Sequence, residues 1–189
     1  KEGSTPEVVA VFAHVDTKYA TPGAMDNAGG VSVVIGVLEN LKYTDLPFEL
    51  HIIPFNGEEY FGVPGQLSYL DYLQRTEKNL KLAVNIDGVG AIEGKGAFSF
   101  YNFSDDDQVL LKQKIESYPD LVQGPQWYEG DHSMFAFQGI PCVAFTSSEL
   151  KETVMNISHT ENDTFEKVDI NILEQVSSVV SDIISKDST

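Results

Sequence analysis

Three apolar runs in this chain stop abruptly at acids or histidine, and the first two lead into segments of helical period; that order limits the fold more than any other feature. Val8 to His14 reads as a buried strand ending in His14-Val15-Asp16. PFELHIIPF is a second strand, closed by NGEE at Glu58 and Glu59, and KLAVNID a third, closed by Asp87 with Gly88 and Gly90 behind it. Between the first two, Val31, Val34, Ile35, Leu38 and Leu41 recur at helical spacing after Gly29-Gly30, and GQLSYLDYLQ separates the second and third. Strands alternating with helices predict an α/β fold, a three-layer α/β/α sandwich with a largely parallel mixed central sheet.

The remaining pattern extends this order. GAFSFYNF reads as a strand, DQVLLKQKIESY as a helix, Ser133 to Phe137 as a short helix and IPCVAF as a last strand. A final helix shows one apolar face through Ile172, Leu173, Val176, Val179, Val180 and Ile183. With 189 residues and 42% hydrophobic content, the expectation is a single catalytic domain over 1–189 with a sizeable core. No internal repeat or low-complexity linker divides it, and no apolar run approaches the ~20 residues that span a bilayer. Twelve basic residues against 29 acidic ones leave a formal net charge of −17. Neither nucleic acid nor an anionic membrane is therefore expected as a partner, because both require a basic face. The single cysteine, Cys142, lies in the apolar IPCVAF run and reads as a core residue.

The polar residues at the strand ends are His14, Asp16, Asp26, Glu58, Glu59, Asp87 and, opening HTENDT before the last helix, His159. In a parallel sheet the carboxyl ends of the strands share one edge, so these residues converge there. Carboxylates gathered within a few ångströms raise one another's pKa and repel, an arrangement that cations make tolerable. Two divalent ions outweigh the three carboxylates of Asp26, Glu59 and Asp87 and leave a positive centre able to ionise a water. Imidazole mixed with carboxylate suits zinc, with cobalt or manganese as further options.

AHVD, GAMDNAGG, NGEE, NIDG and HTENDT together resemble the signature of the di-zinc exopeptidases, the family of the bacterial leucine-type aminopeptidases and glutamate carboxypeptidase II. The resemblance covers almost the whole chain, in order and with compatible spacing. It implies that Asp26 bridges two zinc ions, with His14 and Asp87 completing one site and Glu59 and His159 the other. Glu58 would be the general base, and Asp16 would orient the His14 ring. A strained, often cis, Asp26–Asn27 peptide is implied too. So are peptide substrates with a free N-terminus, cleaved by a metal-activated water, and a secreted or cell-envelope setting, although this chain carries no signal for it. Relatives usually have helix and strand segments before the first ligand strand, whereas only a few residues precede it here; if the protein itself lacks those segments, an uncovered face and instability or association are expected.

The oxyanion donor is less direct. Some relatives place a tyrosine before the last histidine ligand, where this chain has Ser158; QWYEGDH instead offers Tyr128 ahead of Asp131 and His132. Trp127, Tyr128 and Phe61 are candidate walls of a side-chain pocket. His51 carries no motif and reads as a sheet-face histidine, His132 as structural or supporting, Asp163 and Thr164 as a cap or a support of the site, and Asp105-Asp106-Asp107 as a helix start. Three rivals remain. The glutaminyl cyclases use one zinc for an intramolecular acyl transfer, metallopeptidases with an inserted domain need longer intervals between ligands than this chain has, and a receptor-like domain would have lost its metals.

Overall fold

A computed structural model describes Gly3 and residues 5–186. Its six strands form one sheet in the order β2-β1-β3-β6-β4-β5: β1 Glu7–His14, β2 Glu49–Phe55, β3 Asn79–Ile86, β4 Gly96–Tyr101, β5 Leu121–Gln123 and β6 Cys142–Ser147. β1 explains the architecture. All its residues after Glu7 are buried, as an interior strand covered on both faces requires. Alternate side chains feed two cores: Val9, Val11 and Ala13 join one cluster, Val8, Ala10 and Phe12 the other.

The first cluster is covered by α1 (Gly30–Leu41) through Val33, Val34 and Val37, by the end of α3 (Asp105–Ile115) at Ile115, and by α6 (Ile170–Lys186) through Ile172, Val176, Val179, Val180 and Ile183. On the opposite face Phe12 packs against Phe55 and Phe135, each with ring centroids 5.2 Å away, beside Leu73. Leu73 belongs to α2 (Pro64–Arg75) and Phe135 to α4 (Ser133–Ala136). The result is a three-layer α/β/α sandwich, and Cys142 is fully buried in its second core.

β1 runs parallel to β2 and β3, and β3 parallel to β6, while β4 lies antiparallel to β6 and parallel to β5. The reversal of β4, the three-residue β5 and the short α5 (Leu150–Thr153) were not visible in the periodicity, because such short elements owe their form to their neighbours. Register then levels the site. His14 pairs with Phe55, just before Glu58-Glu59, and Phe12 pairs with Asn85, so Asp87 ends level with His14. Among the described residues no helix is long and apolar enough to cross a membrane.

Candidate active site

Asp26 is held in a turn, Ala24 to Gly29, that leads into α1, and the Asp26–Asn27 peptide is cis. Asn27 ties this turn to the end of β3: its Nδ2 donates to the Ile86 carbonyl at 2.8 Å, and its Oδ1 accepts from Gly30 N–H at 3.1 Å. Gly30 permits the approach, since a Cβ there would lie 2.2 Å from Asn27 Oδ1 and 2.6 Å from Ile86 O. Asp163, fully buried, pins the other side by accepting from Met25 N–H at 2.7 Å and Asp26 N–H at 3.1 Å. Its expected supporting role thus becomes a specific one.

Two donor sets result, His14 with Asp26 and Asp87, and His159 with Asp26 and Glu59; within each, the ligand atoms all lie within 4.8 Å of one another. Asp26 belongs to both, with Oδ1 3.1 Å from His14 Nε2 and Oδ2 3.3 Å from His159 Nε2. Asp87 Oδ1 stands 3.3 Å from His14 Nε2, and Glu59 Oε2 stands 3.1 Å from His159 Nε2. His14 is fully buried, while His159 is 36% exposed at the mouth.

The His14 ring is oriented differently from the sequence expectation. Its Nδ1 lies 3.0 Å from the main-chain oxygen of Asp16, whereas the Asp16 carboxylate is 3.7 Å away. That carboxylate instead accepts from Gly57 N–H at 2.8 Å and Glu59 N–H at 3.2 Å, bracing the loop that carries Glu58 and Glu59. Donation from Nδ1–H to the carbonyl leaves Nε2 aimed at Asp26 and Asp87.

The electrostatics are those of a site short of positive charge. Burial pushes the Glu58 carboxyl up, Asp87 adds to this, and it reaches about 9; Asp131 rises to about 7 for the same two reasons. Burial and then Asp26 raise Glu59. Burial alone would depress His14, but hydrogen bonds to Asp26 and Asp87 reverse this and lift it to about 12. Burial works against an ionised Asp26, yet the two histidines bring it down to about 2. Glu59 Oε1 is shut away from solvent without a hydrogen bond, and Asp26 Oδ1, equally shut away, faces the His14 imidazole. Buried carboxylate oxygens of this kind, in two sets of one imidazole and two carboxylates, fit zinc with a coordination position left for water or substrate.

Glu58 Oε2 lies 3.9 Å from His14 Nε2, on the wall of a cleft of about 760 Å³. Phe61, Trp127, Tyr128, Leu150 and Met155 supply its apolar lining, so all three expected aromatic walls reach it. Tyr128 is half-exposed and its hydroxyl donates to Gln126 Oε1 at 3.2 Å; Ser158 is buried beside His159. His132 supports the loop from beneath, with Nδ1 3.1 Å from Asn85 Nδ2 and Nε2 2.9 Å from the Trp127 carbonyl. His51 is far from this chemistry, bonded to Tyr69 and Glu49 on β2, and the three aspartates open α3 behind the Ser104 cap.

Two partners escaped the sequence reading. Gln66 on α2 donates to Asp131, whose other oxygen is buried without a partner. Lys18 places its ammonium 3.4 Å from Glu59 Oε2. The only hint for Lys18 was its position two residues after Asp16.

The sequence model of Peptidase family M28 matches residues 1–184. Aminopeptidase YwaD of Bacillus subtilis is 28% identical over 183 residues, covering 93% of this chain and 40% of its own length. The solved zinc aminopeptidase BSAP of Bacillus subtilis superposes with a TM-score of 0.82 at 27% identity, over 100% of this chain and 50% of that one. A Bacteroides thetaiotaomicron glutaminyl cyclase bound to N-acetylhistamine has a TM-score of 0.78 at 18% identity, over 95% of this chain and 73% of the cyclase, a likeness of fold alone. The chain thus spans half or less of the length of these two aminopeptidases.

Proposed function

Because this chain belongs to peptidase family M28, we propose that it is the catalytic domain of a zinc aminopeptidase that binds two zinc ions and removes N-terminal residues from peptides. The observation that carries this reading is the pair of donor sets hinged on Asp26. One zinc would be held by His14, Asp26 and Asp87, the other by Asp26, Glu59 and His159. Bound zinc would lower the pKa of a water toward neutrality and polarise the peptide carbonyl.

The chain's own residues do the rest. Glu58 takes a proton from the water as its oxygen attacks the carbonyl carbon. It returns that proton to the nitrogen as the C–N bond breaks, so the products are a free amino acid and a shortened peptide. Glu58 and Asp87 line the cleft, and with the buried Asp131 adding its charge they form an acidic end that attracts the substrate's α-ammonium and sets the first peptide bond over the centre. Tyr128, on the cleft wall, is the proposed donor to the developing oxyanion.

The test is elemental analysis of the purified protein, paired with hydrolysis of leucine amide and its N-acetyl derivative, with and without chelator. The reading expects about two zinc ions per chain and chelator-sensitive release from the free amine alone. A single zinc would move it toward a cyclase-like acyl transfer, and no metal with no turnover toward a silent binding domain.

A further inference from the structure

Glu58 and Asp87 lie on the His14 side of Asp26, with the buried Asp131 acting on Glu58 from behind the cleft wall. Lys18 lines the same cleft on the other side of Asp26, beside Glu59 and His159. Its Nζ lies 3.4 Å from Glu59 Oε2, the same oxygen that approaches His159 Nε2 to 3.1 Å. The ammonium also lies against the rings of Tyr60 and Phe61, 4.9 and 5.5 Å from their centroids. The loop beneath is closed, since the Lys18 carbonyl accepts from Thr21 N–H at 3.1 Å and from the Thr21 hydroxyl at 2.6 Å. Tyr60 is tied to it in turn, its hydroxyl accepting from Tyr19 N–H at 2.8 Å. Lys18 is therefore a braced cation on the wall of the cleft.

A cation in this position repels a substrate's α-ammonium and attracts a carboxylate. With the α-ammonium drawn to the acidic end, the chain beyond the scissile nitrogen runs away from Glu58 and Asp87, toward the Lys18 side. In a dipeptide the terminal carboxylate carbon follows the scissile carbonyl carbon by only three bonds, so it stays close to the centre. With Glu59 engaged as a ligand, a substrate carboxylate would be a further anion for Lys18 to pair with.

We propose that Lys18 selects leaving groups bearing a carboxylate next to the scissile nitrogen, making short peptides with a free C-terminus, or peptides acidic at their second residue, the preferred substrates. This rests on the aminopeptidase reading above. The test compares kcat/KM of the zinc-loaded protein on Leu-Leu against Leu-Leu-amide, and on Leu-Asp-amide against Leu-Asn-amide, for wild type, Lys18→Met and Lys18→Arg. In wild type at least one carboxylate form is favoured about tenfold or more, the scale of one hydrogen bond to a charged group; the preference collapses in Lys18→Met and persists in Lys18→Arg. The pair that responds identifies the source, a terminal carboxylate or an acidic side chain. Lys18→Gln, which keeps most of the side chain's length, replaces the methionine variant if that fails to fold. Ratios near one in wild type, or ratios unmoved by loss of the ammonium, overturn the proposal while the aminopeptidase reading stands. No turnover of any of these peptides overturns both.

Discussion

Glu58 and Asp26 separate the two residue-level roles, chemistry and assembly. Glu58→Gln keeps the side chain's shape and removes its capacity to carry the proton, so zinc content should be retained while kcat falls by roughly 10²–10⁴-fold, the usual share of a general base. Turnover within a few-fold of wild type would remove Glu58 from that role. Asp26 contributes one oxygen toward each histidine. Asp26→Asn should therefore cost zinc at both sites together, read by elemental analysis, and abolish the rise in thermal midpoint that zinc gives the wild type, because metal binding and folding share free energy. Loss of one zinc with full retention of the other would contradict a shared ligand. Asp16 shows how two groups of one residue divide the work: its main-chain oxygen orients His14, and its carboxylate braces the Gly57–Glu59 backbone.

At the scale of elements, the turn from Ala24 to Gly29 is the least self-sufficient part of the site. It is held from outside, by Asp163 from the chain before α6 and by Asn27 reaching the end of β3. Asp163→Ala would leave the Met25 and Asp26 amides without their acceptor, at about 1–3 kcal/mol for each buried donor left unpaired. Chemical denaturation of the metal-free protein should show that loss, and zinc titration a weaker affinity, since Asp26 would no longer be fixed between the histidines. Unchanged stability and affinity would mean that the turn holds itself. The strands need no such help: β1 alternates its side chains between two cores, and register alone sets His14 and Asp87 level.

For the whole molecule, the crowding of like charge predicts a stability profile that zinc inverts. Folding raises His14 from 6.5 to about 12, so its contribution is complete below 6.5 and is lost as pH rises toward 12. Glu58, raised from 4.5 to about 9, and Asp131, raised from 3.8 to about 7, disfavour folding as they ionise, so both also withdraw stability as pH rises through those windows. Asp26, lowered from 3.8 to about 2, acts in the opposite sense and only under strong acid. The chelator-treated protein should therefore lose thermal stability steadily from about pH 5 to about pH 9. Zinc requires deprotonated ligands, so the stabilisation it adds should grow over the same range. A flat profile under chelator would show that these charges are not crowded in solution.

Apolar runs, helical spacing and strand-end acids were enough to establish the α/β sandwich and the order of the candidate ligands, because period and strand termination are local properties of the chain. The convergence of His14, Glu58, Glu59 and Asp87 followed from one further rule, that parallel strands end on one edge, whereas Asp26 and His159 reach that edge on turns well beyond the ends of β1 and β6. Only the tertiary structure decided the reversal of β4, the existence of the three-residue β5, the division of labour within Asp16, the task of Asp163 and the placement of Lys18 against Glu59. Each of these depends on contact between side chains or strands from separate segments, and neither composition nor periodicity records which distant partner a short strand or a long polar side chain will meet.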